Sequence, residues 1–104
     1  MAAYWLTFRL ADKVIGGRDW NARYRAVDEA VNAVATIKWD DPTSFFAFES
    51  SNSIDTIAGR LKIAIAPSED MFLIRAINTQ DARICGKLDS REIFTLMGDY
   101  LKPI

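Results

Sequence analysis

The sequence predicts an α+β fold of the ferredoxin-like kind, in which two helices cover one face of an antiparallel four-stranded sheet. Segments whose apolar residues alternate with a period of two interleave with segments of helical spacing. Their order is strand, helix, strand, strand, helix, strand, followed by one further strand and one further helix. With 104 residues, of which 50% are hydrophobic and 26% charged, the chain is expected to form one domain without disulfides.

The first strand and the first helix follow from their apolar spacing. Residues 4–10 alternate between apolar and mixed side chains, as a half-buried strand does. Residues 12–18 contain two adjacent glycines and predict a loop, after which Asp19 is positioned to cap a helix. From Trp20 to about Ala35, large apolar residues recur at steps of three and four, so this helix carries one apolar stripe.

The middle of the chain predicts a hairpin and a second helix. Residues 36–39 form a short β-prone arm, residues 40–43 have the composition of a turn, and residues 44–49 form a phenylalanine-rich strand. Ser53 caps a second amphipathic helix that ends before Pro67. Both helices therefore offer an apolar stripe that can cover a sheet.

The last third of the chain supplies the fourth strand and an extension. Residues 71–77 alternate as a strand, and residues 82–88 form a further strand after a four-residue turn. Asp89, with Glu92 three residues later, predicts a capping box for a last helix over residues 90–101. This second strand and the last helix are expected to extend the ferredoxin-like core at its C-terminal end.

Composition limits the chemistry that is available. The 13 Lys and Arg residues nearly balance the 14 Asp and Glu residues, so the chain has no general attraction to nucleic acid or to anionic membranes. The lack of histidine and the single cysteine, Cys85, exclude a zinc site of Cys and His ligands within one chain and any triad with an imidazole base. Cys85 could be a lone redox thiol, but it is more simply a small buried or half-buried apolar residue. Because no signal peptide, membrane-spanning run or phosphate-binding glycine loop is evident, we expect no cofactor and a cytoplasmic protein.

The sheet face opposite the two main helices is the most informative predicted feature. It combines apolar side chains with arginines, with Arg9 and Arg75 expected as near neighbours, and is too apolar to remain in water. Three kinds of cover are open: a second copy of the chain, with Glu49 or another acid pairing the arginines; the C-terminal helix of the same chain; or RNA or single-stranded nucleic acid stacking on Trp5. The residues predicted for this partner surface are Trp5, Thr7, Arg9, Glu49, Met71, Leu73, Arg75, Arg83 and Lys87.

Five segments of the chain share the pattern of a known family: residues 4–10, Arg18-Asp19-Trp20, residues 43–49, residues 53–61 and residues 68–74. Together they resemble the SinR-like and GhoS-like branch of the small CRISPR-associated ferredoxin-fold nuclease superfamily. The resemblance covers about residues 4 to 88. It implies a homodimer with facing sheets, in which the strand after the fourth, residues 82–88, extends the partner's sheet.

The residue after Phe8 departs from this family's pattern. In the nuclease-like members the first strand ends in an aromatic residue followed by aspartate, and the paired aspartates of the dimer hold a divalent metal. Here the next residue is Arg9, and a guanidinium cannot ligate a hard cation. Asp12 could substitute as a ligand, although a loop acid is more simply a turn residue. We therefore expect no bound metal and no metal-dependent nuclease activity.

Two functions from different classes remain. The resemblance implies a non-catalytic homodimeric interaction or regulatory protein, of the kind found in toxin–antitoxin or CRISPR-related systems. The alternative is an RNA- or single-stranded nucleic-acid-binding protein with residual ribonuclease activity, although charges on a helix surface are usually only solvated. A ferredoxin-fold enzyme ranks last, because only apolar residues are expected between helices and sheet. The predicted nucleic-acid contacts are Arg18, Arg23 and Arg25 near the start of the first helix and Lys13 across the loop.

Overall fold

One six-stranded open sheet and three helices make up the chain in the computed structural model, which describes residues 1–104. The elements are β1 (Ala2–Arg9), α1 (Trp20–Asn32), β2 (Ala35–Trp39), β3 (Phe45–Ser50), α2 (Ile54–Ala64), β4 (Met71–Ala76), β5 (Ala82–Gly86), α3 (Glu92–Met97) and β6 (Leu101–Pro103). The strand order is β2-β3-β1-β4-β5-β6, and all neighbours are antiparallel except β5 and β6. The predicted α+β, ferredoxin-like fold is therefore confirmed, with β5, α3 and β6 added at its C-terminal end.

The main core lies between the sheet and the helices α1 and α2. Alternate residues of the central strand β1, namely Tyr4, Leu6 and Phe8, point into it and are almost fully buried. Val27 and Val31 of α1 cover them. Full burial of one such side chain stabilises the fold by about 1.5–3 kcal/mol, so the apolar stripes of the two helices hold the sheet. No helix has the length and apolarity that crossing a membrane requires.

Both predicted N-caps are present. The Asp19 carboxylate accepts a 2.7 Å hydrogen bond from the backbone N–H three residues later, and the Ser53 hydroxyl accepts one of 3.2 Å in the same way. Each satisfies an N–H group that the first helical turn leaves without a partner. Helix α1 ends at Asn32, three residues before the predicted end, because Ala35 already belongs to β2.

The C-terminal end differs from the prediction. The capping box is wrong: the Glu92 N–H bonds the Ser90 hydroxyl, whereas the Asp89 carboxylate pairs with an arginine of β1. Helix α3 stops early because Gly98 has a positive φ of 84°, a conformation that only glycine adopts easily and that breaks the helical path. Residues 101–103, predicted as helix, consequently run back beside β5 as the strand β6.

Strand β5 pairs with β4 of its own chain, with Ile84 opposite Leu73. The resemblance implied that this strand extends a partner's sheet, whereas here it lies within the sheet of one chain and β6 follows it. The strand ends at Gly86, two residues before the predicted end. Gly86 has a φ of 106° and packs directly on the Asp70 carbonyl, where a Cβ would collide, and the Lys87 N–H bonds that same carbonyl at 2.8 Å.

Candidate interaction surface

The sheet face opposite α1 and α2 is half covered, because α3 lies over β4 and β5. Apolar residues of α3, among them Ile93, Phe94 and Met97, pack there on a second, smaller core. Leu73, predicted for the partner surface, belongs to this core and is only 6% exposed, and Met71 is half-buried beside it. For this half of the face, cover by the chain's own C-terminal helix is what the structure shows. The buried residues of the smaller core are Leu73, Ala82, Ile84 and Leu101.

The other half, on β1, β3 and β2, has no cover, and we call it the open face. Three aromatic rings run across it: Trp5 stacks on Phe45 at a centroid distance of 6.2 Å, and Trp39 meets the other side of Phe45 edge-on at 6.2 Å. Trp39 is 48% exposed and the neighbouring Ile37 is 67% exposed. Contiguous apolar surface of this kind marks interaction sites. The open face consists of Ala3, Trp5, Thr7, Ile37, Trp39, Phe45, Ala47 and Glu49.

Sequence reasoning identified the β1 side of the open face and missed most of the hairpin side. It selected Glu49 but not Phe45, although Phe45 lies four residues earlier in the same strand and therefore on the same face. It also missed Ile37 and Trp39, whose alternation in the other arm of the hairpin carries the same information. The alternation of side chains along a strand would have identified these residues, but it was used for the first strand and not for the hairpin.

The two arginines predicted as near neighbours lie at opposite ends of the face. The antiparallel register places Arg75 beside Trp5, which is four residues from Arg9 along β1, or about 13 Å. The prediction was wrong because it assumed adjacent strands without fixing their register. Arg9 donates a 3.1 Å bond to the Asp89 carboxylate and a 2.7 Å bond to the Lys87 carbonyl, so it ties β1 to the segment before α3.

Glu49 and Arg75 are the half-buried charges on this face that have no ion pair. The Glu49 carboxylate accepts a 3.3 Å hydrogen bond from the Thr36 hydroxyl. Arg75 donates to two backbone carbonyls and to the Tyr100 hydroxyl, whose ring centre lies 5.3 Å from the guanidinium. All other charged residues that are at least half-buried form ion pairs, apart from Arg18, which bonds carbonyls.

Arg83 lies on the side of the sheet opposite to the predicted one. It stands beside Ile74, whose side chain is in the main core, and is 7% exposed. Its guanidinium bonds the carboxylates of Asp55 and Asp81 at 2.7 and 2.6 Å, and its hydrogen bond to Asp55 lowers the pKa of that carboxyl. Assigning Arg83 to the partner surface was wrong, because the pairing of β4 with β5 sends it to the helix side. It fastens β5 to the start of α2.

Most of the predicted basic edge is engaged within the chain. Arg18 donates bonds of 3.0 and 3.3 Å to the last carbonyls of α2. The Lys13 and Lys87 ammonium groups pair with Glu69 at 3.1 and 3.4 Å, and these two hydrogen bonds lower the pKa of the Glu69 carboxyl. Arg25 is exposed and bonds no other residue. The edge therefore offers a nucleic acid fewer free cations than the sequence suggested.

Arg23, also predicted as a nucleic-acid contact, is completely buried, and that prediction is wrong. Its guanidinium pairs with the equally buried Asp70 carboxylate at 2.9 Å, and Asp70 also accepts 2.8 Å bonds from the N–H groups of Ala11 and Ala66. The expectation of only apolar residues between helices and sheet fails at this end. The missed signal is that Arg23 precedes Val27 by one helical turn and so lies on the buried face. Arg23 also donates bonds of 2.6–2.9 Å to the carbonyls of Ala11, Lys13 and Arg18.

The remaining chemically reactive groups lie apart from one another. Cys85 is buried on the helix side, where desolvation raises the pKa of its thiol. Asp12 is exposed in the loop after β1, and no three Cys, Asp or Glu side chains of the chain come together as a group that could hold a metal ion. The open face is therefore the feature from which a function can be argued.

Comparison with known proteins adds no relative. The resemblance noted from the sequence therefore stays an expectation. No protein-family model, curated protein or solved structure matches this chain.

Proposed function

We propose that the chain is a non-catalytic interaction protein that forms a homodimer through the open face. The observation that carries the proposal is the aromatic row of Trp5, Phe45 and Trp39 on the open face, on a sheet face whose other half is covered by the chain's own helix. Trp5 is partly buried against the smaller core, and Trp39 is the most exposed of the three. Aromatic residues dominate the binding energy of protein interfaces, since each buries a large apolar area. A regulatory setting, such as a toxin–antitoxin or CRISPR-related system, is supported by the sequence resemblance alone.

A second copy of the chain is the partner that the charges of this face favour. An interface with two-fold symmetry uses the same patch twice, so the patch must be complementary to itself. The open face and its border supply one anion, Glu49, and one cation, Arg75, neither of which has an oppositely charged partner in its own chain. A patch that carries both signs satisfies this requirement.

Light scattering during size-exclusion chromatography tests the proposal. At tens of micromolar, the expected mass is twice the 11.7 kDa of one chain. Ile37→Glu places a charge in the open face and should give the monomer. Ile63→Glu is the matched control, because Ile63 is 81% exposed on α2, on the other side of the sheet. A native monomer at 100 micromolar, or equal dissociation by both variants, would contradict the proposed homodimer.

Binding of single-stranded RNA is a second candidate, favoured by the pair of adjacent rings on β1 and β3. Bases stack on such rings at about 1–3 kcal/mol each. The charges oppose it, since the net charge is −1 and Arg9 is already paired with Asp89. Titration with oligouridine, followed by tryptophan fluorescence at low and high salt, distinguishes the two. Salt-dependent quenching of a monomeric protein would favour RNA over a second copy.

A further inference from the structure

We propose that the homodimer has a stepped interface, in which α3 of each copy lies beside β2 of the other and Glu49 of each copy pairs with Arg75 of the other. This inference rests on the proposed homodimer and adds its contacts. Three properties of the sheet face opposite α1 and α2 support it: the step made by α3, the area of the open face, and the charges of Glu49 and Arg75, which have no ion pair.

The shape of the sheet face is that of a step. Helix α3 stands above β4 and β5, whereas β1, β3 and β2 are bare. Consider a two-fold axis that lies between the two copies, parallel to the sheets and roughly along β1 and β3. It places the half of one copy that α3 covers over the open face of the other copy. Each α3 then lies beside the outer strand β2 of the other copy, where Ile37 and Trp39 are exposed.

We place Leu96 on the side of α3 that is nearer the open face. Ile93 lines a cleft together with Met71, and Phe94 lines a second cleft together with Pro103, which puts Ile93 on the side of α3 nearer β1. Leu96 follows Ile93 by three residues and therefore shares its side of the helix. It is 79% exposed. In the stepped arrangement it packs against the exposed apolar residues of β2.

The open face is so small that α3 must also contribute to the interface. Three strands spaced about 4.8 Å apart and five residues of about 3.3 Å each give a projected area of roughly 240 Å². A stable interface buries about 800 Å² on each partner. Even if the relief of the side chains doubles the projected area, the open face alone is too small for a stable dimer. The half of the sheet face that α3 covers must therefore contribute as well.

The unpaired charges fix which residues meet. Glu49 lies beside Ala3 on one side of β1, and Arg75 lies beside Trp5 on the other side. Two strand spacings and two residues separate them, about 12 Å between their α-carbons, with the Trp5 side chain on the strand between them. The two-fold axis brings Glu49 of each copy toward Arg75 of the other copy. Since a charge buried without a partner is costly, closing the interface requires this pairing.

Charge reversal tests the pairing directly. Glu49→Arg and Arg75→Glu should each weaken dimerisation about ten- to hundredfold, because each creates two like-charge contacts across the interface. An equimolar mixture of the two variants should regain native affinity, since both cross-pairs of the mixed dimer then join opposite charges. Analytical ultracentrifugation measures both affinities. Glu29→Arg is the matched control, because Glu29 is exposed on α1 and forms no ion pair.

Each outcome distinguishes this inference from the proposed function. If the native protein dimerises but the reversed variants dimerise equally well, or their mixture regains nothing, the pairing is wrong and the homodimer stands. A monomeric native protein, with or without bound oligouridine, overturns both. If circular dichroism shows that a reversed variant is unfolded, Glu49→Gln and Arg75→Gln replace the pair and should each weaken the dimer about tenfold. Leu96→Glu should weaken it as well, and an unchanged affinity would refute the stepped packing.

Discussion

Replacing Arg23 by alanine should be among the most destabilising changes in the chain. The substitution removes five hydrogen bonds and leaves the Asp70 carboxylate with only two backbone N–H partners. The Lys13 carbonyl loses its donor, whereas the Ala11 and Arg18 carbonyls keep a backbone N–H donor each. Removing one partner of a buried ion pair costs about 3–5 kcal/mol. A chain of this length has a free energy of unfolding of about 5–15 kcal/mol, so the loss is a large fraction of the total.

Urea unfolding, followed by circular dichroism at one protein concentration, measures this effect. With a slope of about 1.5 kcal/mol per molar urea, the midpoint should fall by about 2–3 M. Arg25→Ala is the control: it removes the same side chain two residues later in α1, where it is exposed, and should change stability by less than about 0.5 kcal/mol. If the urea midpoint of Arg23→Ala lay within about 0.5 M of the Arg25→Ala midpoint, the buried pair of Arg23 and Asp70 would not stabilise the fold as described.

Three further predictions concern two glycines, the Asp55 carboxyl and the Cys85 thiol. Gly86→Ala should destabilise the protein by at least about 2 kcal/mol, because the new Cβ would collide with the backbone carbonyl before β4. Gly59→Ala, in open space within α2, should stabilise the protein by about 0.5–1 kcal/mol. Similar melting temperatures of the two variants would refute this contrast. The Arg83 hydrogen bond lowers the pKa of Asp55, so the stability it contributes is present above pH 3.8 and is lost as the pH falls through the lower folded-state value. Asp55→Asn should therefore flatten the loss of stability below about pH 4, and an unchanged acid unfolding curve would count against the contact. Burial raises the pKa of the Cys85 thiol, so it should react with a thiol reagent at pH 8 far more slowly in the folded protein than in urea; equal rates would show that the thiol is accessible.

The fold could be predicted because its elements obey local rules. Strand β1 alternates strictly, and Asp19 and Ser53 mark the starts of both long helices by chemistry confined to one turn. The end of the chain could not be predicted in the same way. The run after Asp89 has helical spacing, but the conformation of Gly98 stops the helix, and pairing with β5 then makes a strand of residues 101–103. Neither event is visible without the rest of the sheet.

The candidate site could be predicted only for residues whose face follows from the alternation of side chains along a strand. Trp5 and Glu49 lie on the open face as expected, since alternation alone places them there. Arg83 and Arg23 were misplaced because charge was taken as a sign of exposure. Both are buried opposite carboxylates that are distant in sequence, and a buried charge is tolerated only beside such a partner. The partner of Arg23 is Asp70, 47 residues away in the chain.

The central position of β1 has a consequence for synthesis. Its two neighbours in the sheet are β3 and β4, which begin at Phe45 and Met71, so β1 is synthesised before either strand with which it pairs. At about 5–20 residues per second, a ribosome needs roughly 2–8 s to move from the end of β1 to the end of β3. During that interval the apolar side chains of Tyr4, Leu6 and Phe8 have no strand to pair beside. A chaperone that binds short extended apolar segments would therefore find a target in β1.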